Sequence, residues 1–265
     1  MRETSIRVGS RTVRYLEAGA GAPVVLLHAF PLSADMWRPQ LDHVPPKFRF
    51  IAPDLRGFGP RPAEPAGTLD DMAADVIGWL DALAIERAVI GGASMGGYVT
   101  FALLRLAPER FSGILLANTK ASADTAEGRA GRDKMSALVR SGGPPAVAEQ
   151  MIPKLLGETA RRSQPQLAPL VRQLIEGNTA DGLDGAIQAM KNRPDSTDLL
   201  SEIGTPALVI AGDEDTLIPV TESEAMQRAL PHSQLAVLRG CGHLSNLESP
   251  DQFSAALHNF LDTGL

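Results

Sequence analysis

The sequence predicts an α/β fold: a mostly parallel eight-stranded sheet with helices on both faces and a helical insertion after the sixth strand. Three observations predict it. Short β-rich runs alternate with helix-length amphipathic segments, the pattern of a layered sheet. Most of these runs are continuous in Val, Ile and Leu, as strands buried on both faces require. The alternation stops at about residue 120 and resumes only at Thr205-Pro206.

Taken in order, "TSIRVG" and "RTVRYLEAG" meet at Gly9-Ser10 and read as an N-terminal hairpin. "PVVLLHAF" (23–30) and "FRFIAPDL" (48–55) follow, then "RAVIGGAS" (87–94), "FSGILLAN" (111–118), "PALVIAG" (206–212) and "SQLAVLRG" (233–240). Thr68 to Leu83 has apolar residues at helical spacing behind the cap Thr-Leu-Asp-Asp. Met95 to Leu106 places Val99, Ala102, Leu103 and Leu106 on one stripe, with Pro108 just beyond. Thr221 with Glu224 spells a capping box ahead of 222–230, and Ser249-Pro250 with Gln252 opens a C-terminal helix in the same manner. Residues 120–203 read as short helices separated by "SGGPP", "LLGETA", "SQPQLAP" and "EGNTADG". The expected division is therefore a core of 1–119 and 204–265 with an inserted helical unit of 120–203.

Composition bounds the function. The 265 residues are 44% hydrophobic, enough for one large core carrying an insertion. A net charge of -6 with no run of lysines or arginines argues against nucleic acid or an anionic membrane as partner. "MRETSIRVGS" lacks the apolar stretch of a secretory signal, and no apolar run is long enough to span a bilayer. Cys241 is the single cysteine, so no intramolecular disulfide exists. These features lead to the expectation of a cytoplasmic protein, with the oligomeric state open, a homodimer included.

One stretch carries chemistry: "GGASMGGY", residues 91–98. A dinucleotide loop needs G-x-G-x-x-G at an early strand and an acid about twenty residues on. Here the register from Gly91 puts Ala93 at the second glycine, the stretch lies mid-chain, and no suitably placed strand ends in an acid. A Walker loop would need Lys-Ser/Thr where Tyr98-Val99 stands. Gly92-Ala93-Ser94-Met95-Gly96 instead matches G-x-S-x-G between a strand and a helix, the context of a nucleophile elbow. Its plain competitor is a serine capping the helix between two glycines.

A nucleophilic serine needs a base, and the base an orienting acid. Of His28, His43, His232, His243 and His258, the fourth lies in "GCGHLSN", past the last strand and before the last helix. Catalytic groups of open α/β sheets gather at such carboxyl ends. His232 enters that strand at its wrong end, His258 is inside a helix and His43 follows the first helix. For the acid, "AGDEDTLIP" at the end of the seventh strand offers Asp213, Glu214 and Asp215.

With "LLHAFPLSADMW", "APDLRGFG", "GGASMGG", "AGDEDTLIP" and "GCGHLSNLESP" in this order, the chain resembles an α/β-hydrolase, in the branch of esterases, enol-lactonases and cofactor-free haloperoxidases. The resemblance covers the whole sheet and stops at the insertion. It implies a Ser-His-Asp triad of Ser94, His243 and Asp215, the acid falling in G-x-x-D-x-x-x-P on Gly212, Asp215 and Pro219. It also implies an oxyanion hole from the backbone N–H groups of Phe30, in "HAFP", and Met95, with His28 anchoring that loop. The chain departs from the family in Ala29, where a glycine is usual, in Pro31, and in Pro60, where a serine is common. Asp54 and Arg56 of "DLRGFG" would hold a turn, and Asn118 lacks the charge to replace the acid.

By the same resemblance, 120–203 would be a cap roofing the pocket. Its Met135, Leu138, Val139, Met151, Leu155, Leu156 and Met190 would line the site or pack cap onto core. Arg129, Arg132 or Arg193 would be the groups to meet a substrate carboxylate, and Cys241 would be a small buried residue. No metal or organic cofactor is implied. The expected reaction is hydrolysis of a small carboxylic ester or lactone through an acyl-enzyme. Carbon–carbon bond hydrolysis, perhydrolysis and ligand sensing without turnover are the alternatives on the same triad. A serine nucleophile speaks against haloalkane dehalogenase and epoxide hydrolase chemistry.

Overall fold

In the computed structural model, residues 1–59 and 67–264 are described. The hairpin is present: β1 (Arg2–Val8) and β2 (Arg11–Gly19) pair antiparallel around Gly9, whose φ of 60° suits glycine. β3 (Ala22–Leu27) leads through a short 3₁₀ turn into α1 (Arg38–Leu41), and β4 (Phe48–Pro53) follows. Then come α2 (Leu69–Ala82), β5 (Ala88–Ala93), α3 (Met95–Leu106) and β6 (Phe111–Ala117). Four helices come next: α4 (Ala126–Leu155), α5 (Glu158–Ser163), α6 (Leu167–Glu176) and α7 (Ala180–Lys191). The sheet resumes with β7 (Ala207–Gly212), α8 (Val220–Ala229) and β8 (Ser233–Leu238), before α9 (Ser245–Glu248) and α10 (Pro250–Thr263).

The strands form one sheet in the order β1-β2-β4-β3-β5-β6-β7-β8, antiparallel over the first three and parallel from β4 onward. Every residue of β5 and β7 is buried, so both faces of the sheet's middle are covered. β8 is the exception to the expectation of strands buried on both faces. It is an edge strand with only Leu238 buried, and Val237 is 43% exposed.

The strands end sooner than their apolar runs. β3 stops at Leu27, opposite Gly92, and His28-Ala29-Phe30 leave the sheet as a loop.

Capping was legible at one of three sites. Thr68 Oγ1 accepts the Asp71 N–H at 3.0 Å while Asp71 Oδ2 accepts the Thr68 N–H at 2.8 Å, the expected box. The box expected at Thr221 is absent: α8 starts at Val220 behind Pro219 without a side-chain cap. In the turn that precedes it, Asp215 Oδ1 accepts the N–H groups of Leu217 and Ile218 at 2.9 and 3.0 Å. Ser249 caps no backbone group; its hydroxyl oxygen accepts Gln252 Nε2 at 2.8 Å. Leu106 ends the α3 stripe 55% exposed rather than buried.

Inside the insertion, "SGGPP" breaks α4 at Gly143, where φ is +64°. Val139, Met151, Leu155, Leu156 and Met190 are all buried with the main core, whereas Met135 and Leu138 are partly exposed. Among the described residues, no helix is long and apolar enough to cross a membrane.

Candidate active site

Ser94 stands between β5 and α3, one residue past the strand and one before the helix. Its backbone is held at φ 52° and ψ −111°, a region that costs a non-glycine residue about 1–3 kcal/mol. The surroundings impose it. Ser94 N–H donates to Ala117 O at 2.9 Å, and Thr119 Oγ1 donates to Ser94 O at 2.8 Å, so both peptide groups are tied to the end of β6 and the residues after it. A Cβ on Gly92 would lie 2.5 Å from Leu27 O, and one on Gly96 would strike the same carbonyl, so neither position admits a side chain. The Ser94 hydroxyl makes no capping bond to α3, which disposes of the plain capping role.

His243 follows β8 and Asp215 follows β7, both at carboxyl ends of the sheet. His243 Nδ1 lies 2.7 Å from Asp215 Oδ2, with both side chains buried. An ionised carboxylate only accepts, so Nδ1 carries a proton, and the neutral tautomer compatible with this bond is the one with a bare Nε2. Burial pushes the Asp215 carboxyl up, but His243, the Ile218 N–H and the Asn118 amide outweigh it and hold it below its ordinary value. No hydrogen bond joins Ser94 Oγ to His243 among the described residues, and Ser94 is 8% exposed. Contacts of this kind are often long until substrate binds.

The two neighbouring acids are occupied elsewhere. Asp213 Oδ1 accepts the Gly240 N–H at 2.7 Å, and Glu214 accepts the N–H and hydroxyl of Thr159 at 2.8 and 2.5 Å.

Three residues around this pair were not singled out as support by the sequence. Asn118 Nδ2 donates to Asp215 Oδ2 at 3.0 Å and to Gly242 O at 3.2 Å, while its Oδ1 accepts Ser245 Oγ at 2.5 Å. The amide thus serves the acid rather than competing with it. Glu248 is 4% exposed and accepts three backbone N–H groups: Gly157 at 2.8 Å, Gly242 at 2.9 Å and Leu244 at 3.0 Å. Burial pushes its carboxyl above the ordinary value against the pull of those donors. Leu155 O, from the end of α4, accepts the His243 and Leu244 N–H groups at 3.1 and 3.2 Å. An acid five residues after the histidine, in "GHLSNLES", was the one signal that pointed there.

His28 is fully buried and both its ring nitrogens are used. Nε2 accepts the Leu55 N–H at 3.0 Å, so Nδ1 carries the proton and donates to Ala29 O at 3.1 Å. Burial lowers its pKa, consistent with a neutral ring joining the loop after β3 to the turn after β4. Phe30 is 4% exposed and Met95 is wholly buried; neither backbone N–H has an acceptor among the described residues. Met95, at the first position of α3, is one of the donors a helix leaves unpaired. The Phe30-Pro31 bond is cis.

Asp54 and Arg56 hold their turn through different partners. Asp54 bonds Arg14 of β2 at 3.0 Å and the Ala34 N–H at 2.8 Å, whereas Arg56 pairs with Asp75 of α2 at 2.6 Å. The departure at Pro60 lies outside the described residues. Arg132 and Arg193 both pair with Asp124, at 3.0 and 2.9 Å, and Arg193 also covers the Tyr98 ring at 4.1 Å; Arg129 is exposed. The Cys241 thiol is buried and pushed up to about 12, first by burial and then by nearby carboxylates, so it stays protonated.

Over its full length, the chain is similar to a thermophilic esterase from Thermogutta terrifontis with malate bound: 37% identity, 99% and 98% of the two chains covered, TM-score 0.93. It is 28% identical over 262 residues to 3-oxoadipate enol-lactonase 1 of Acinetobacter baylyi, covering 97% of each. The enol-lactonase of Burkholderia xenovorans superposes with a TM-score of 0.87 at 25% identity, covering 98% of this chain and all of that one. The family model for the alpha/beta hydrolase fold matches residues 22–250. On that match and on its sheet, the chain belongs to the α/β hydrolase fold family.

Proposed function

We propose that the protein is a serine hydrolase of small carboxylic esters or lactones, with Ser94, His243 and Asp215 as triad and the Phe30 and Met95 N–H groups as oxyanion hole. The observation that carries this reading is the buried 2.7 Å bond from His243 Nδ1 to Asp215, which leaves Nε2 as a base at the same end of the sheet as Ser94. Similarity to an esterase and to enol-lactonases supports the substrate class.

On this reading His243 Nε2 takes the Ser94 proton as Oγ attacks the carbonyl carbon. The oxyanion rests on two backbone donors, each worth about 3 kcal/mol of barrier where such donors have been removed. His243 then protonates the leaving alcohol, or the opened lactone oxygen, and returns as base for the water that frees the acid and Ser94. Residues 1–119 and 204–265 form the catalytic core, and 120–203 forms a cap that selects the substrate. Arg132 and Arg193 are both committed to Asp124, which makes them poor candidates for a substrate carboxylate.

The test is a panel of p-nitrophenyl esters and of lactones with graded acyl length. Rapid turnover of p-nitrophenyl acetate that disappears in Ser94→Ala is the expected result. One slow turnover with the ligand retained would replace the hydrolase with a sensor.

A further inference from the structure

Asn178 lies in the turn between α6 and α7, in the stretch that reads "EGNTADG", and its side chain is committed on every side. It is 5% exposed. Its Nδ2 donates to Leu174 O at 3.0 Å, one of the carbonyls that α6 leaves unpaired at its end, and to Pro31 O at 2.9 Å. Its Oδ1 accepts the Gly59 N–H, from the turn after β4, at 2.9 Å. Carbonyls on one side and an N–H on the other fix the amide in one orientation. Close by, Gly182 of α7 packs directly on the Gly57 carbonyl, where no Cβ fits.

The partner that matters is Pro31. Its carbonyl follows directly on Phe30, whose N–H is a proposed oxyanion donor, and Asn178 is the side chain of the insertion that bonds it. His28 grips the same loop from the core side through Ala29 O. The loop is therefore held between a core histidine and an amide borne by the insertion.

From this geometry we infer that Asn178 is a positioning residue for the oxyanion loop, so that the insertion sets the placement of the Phe30 donor as well as covering the site. The inference rests on the hydrolase reading above. The oxyanion forms at a fixed point relative to Ser94, and a donor displaced by a fraction of an ångström stabilises it less. Substrate binding in the ground state does not depend on that donor to the same degree.

The experiment compares the native chain with Asn178→Asp, Asn178→Ala and Val171→Ala. Val171 is a wholly buried α6 residue whose side chain carries no hydrogen-bonding group, so its truncation loosens the insertion without removing a hydrogen bond to the loop. Asn178→Asp keeps the acceptor for Gly59 but turns an oxygen toward the Pro31 and Leu174 carbonyls. It should lower kcat for p-nitrophenyl acetate roughly ten- to a hundredfold with KM changed less than about twofold. The rate of Ser94 phosphorylation by diethyl p-nitrophenyl phosphate, in which the Oγ–P bond forms as p-nitrophenolate leaves, should fall by a similar factor, because the phosphoryl oxygen uses the same donors. Asn178→Ala should lose less in the same direction, while Val171→Ala lowers Tm and leaves both rates near native. If both Asn178 variants lower only Tm, Asn178 merely ends α6 and the inference is overturned. If the native chain shows no Ser94-dependent turnover, the hydrolase reading fails and takes the inference with it.

Discussion

His243 Nδ1 bonds to Asp215 Oδ2 at 2.7 Å, while the adjoining Asp213 turns away to hold the Gly240 and Cys241 N–H groups. Two acids two residues apart thus have separate uses. Asp215→Asn should lower kcat by about four orders of magnitude, the loss expected when the base is left in the wrong tautomer. Asp213→Ala should cost about 1 kcal/mol of stability and leave kcat within about threefold of native. Steady-state kinetics beside thermal melts decide it, and the reverse ranking would transfer the acid's role to Asp213.

Ser94 should be chemically essential and structurally unfavourable. Ser94→Ala keeps the strained backbone, so it loses turnover with little change in stability. Ser94→Gly loses turnover too but relieves the strain at φ 52°, and should be more stable than Ser94→Ala by about 1 kcal/mol. Urea melts of the two inactive variants make the comparison; equal midpoints would remove strain from the account.

Glu248 holds both peptide neighbours of His243. In Glu248→Gln the new NH₂ group must face at least one of the three backbone donors, leaving it unsatisfied at a cost of about 1–3 kcal/mol. A kcat drop of about tenfold should accompany it, with KM little changed, because the histidine loop loosens. Loss of melting temperature with kcat intact would mean that Glu248 supports the fold alone.

Asp124 gives a pH-dependent contribution whose sign can be worked out. Burial raises its carboxyl, but Arg132 and Arg193 outweigh that and set the folded pKa below 3.8. A depressed acid stabilises above its unfolded pKa, and that contribution is lost as pH falls through the folded value. Asp124→Asn should therefore cost about 3 kcal/mol at pH 7, since it strands the buried Arg193. The gap to native should close as pH drops below about 3.8. A gap that is constant from pH 7 to pH 3 would count against the pairing.

The sheet was readable because most buried strands carry a continuous apolar run bounded by Gly, Pro or a charged turn. The elbow was readable because steric demand at Gly92 and Gly96 leaves glycine as the only choice. The pairing of Asp215 with His243 was reached through a resemblance; local spacing could not rank three adjacent acids. The support given by Asn118 and Asn178 stayed hidden because each works across a long stretch of sequence, to Asp215 and Pro31, and Glu248 adds a distant donor, Gly157, to two near His243. The capping box spelled at Thr221 fails for a local reason: α8 already begins at Val220 behind Pro219, so Thr221 lies inside the helix.

The Leu27 carbonyl abuts Gly92 and Gly96, so the end of β3 and the serine turn meet main chain to main chain. No side chain stands between the strand that delivers Phe30 and the turn that delivers Ser94. The spacing between the end of β3 and the serine turn is thus set by backbone contact and not by the choice of side chains. Selection, natural or in the laboratory, can rewrite the residues that greet a substrate while this internal ruler keeps its length.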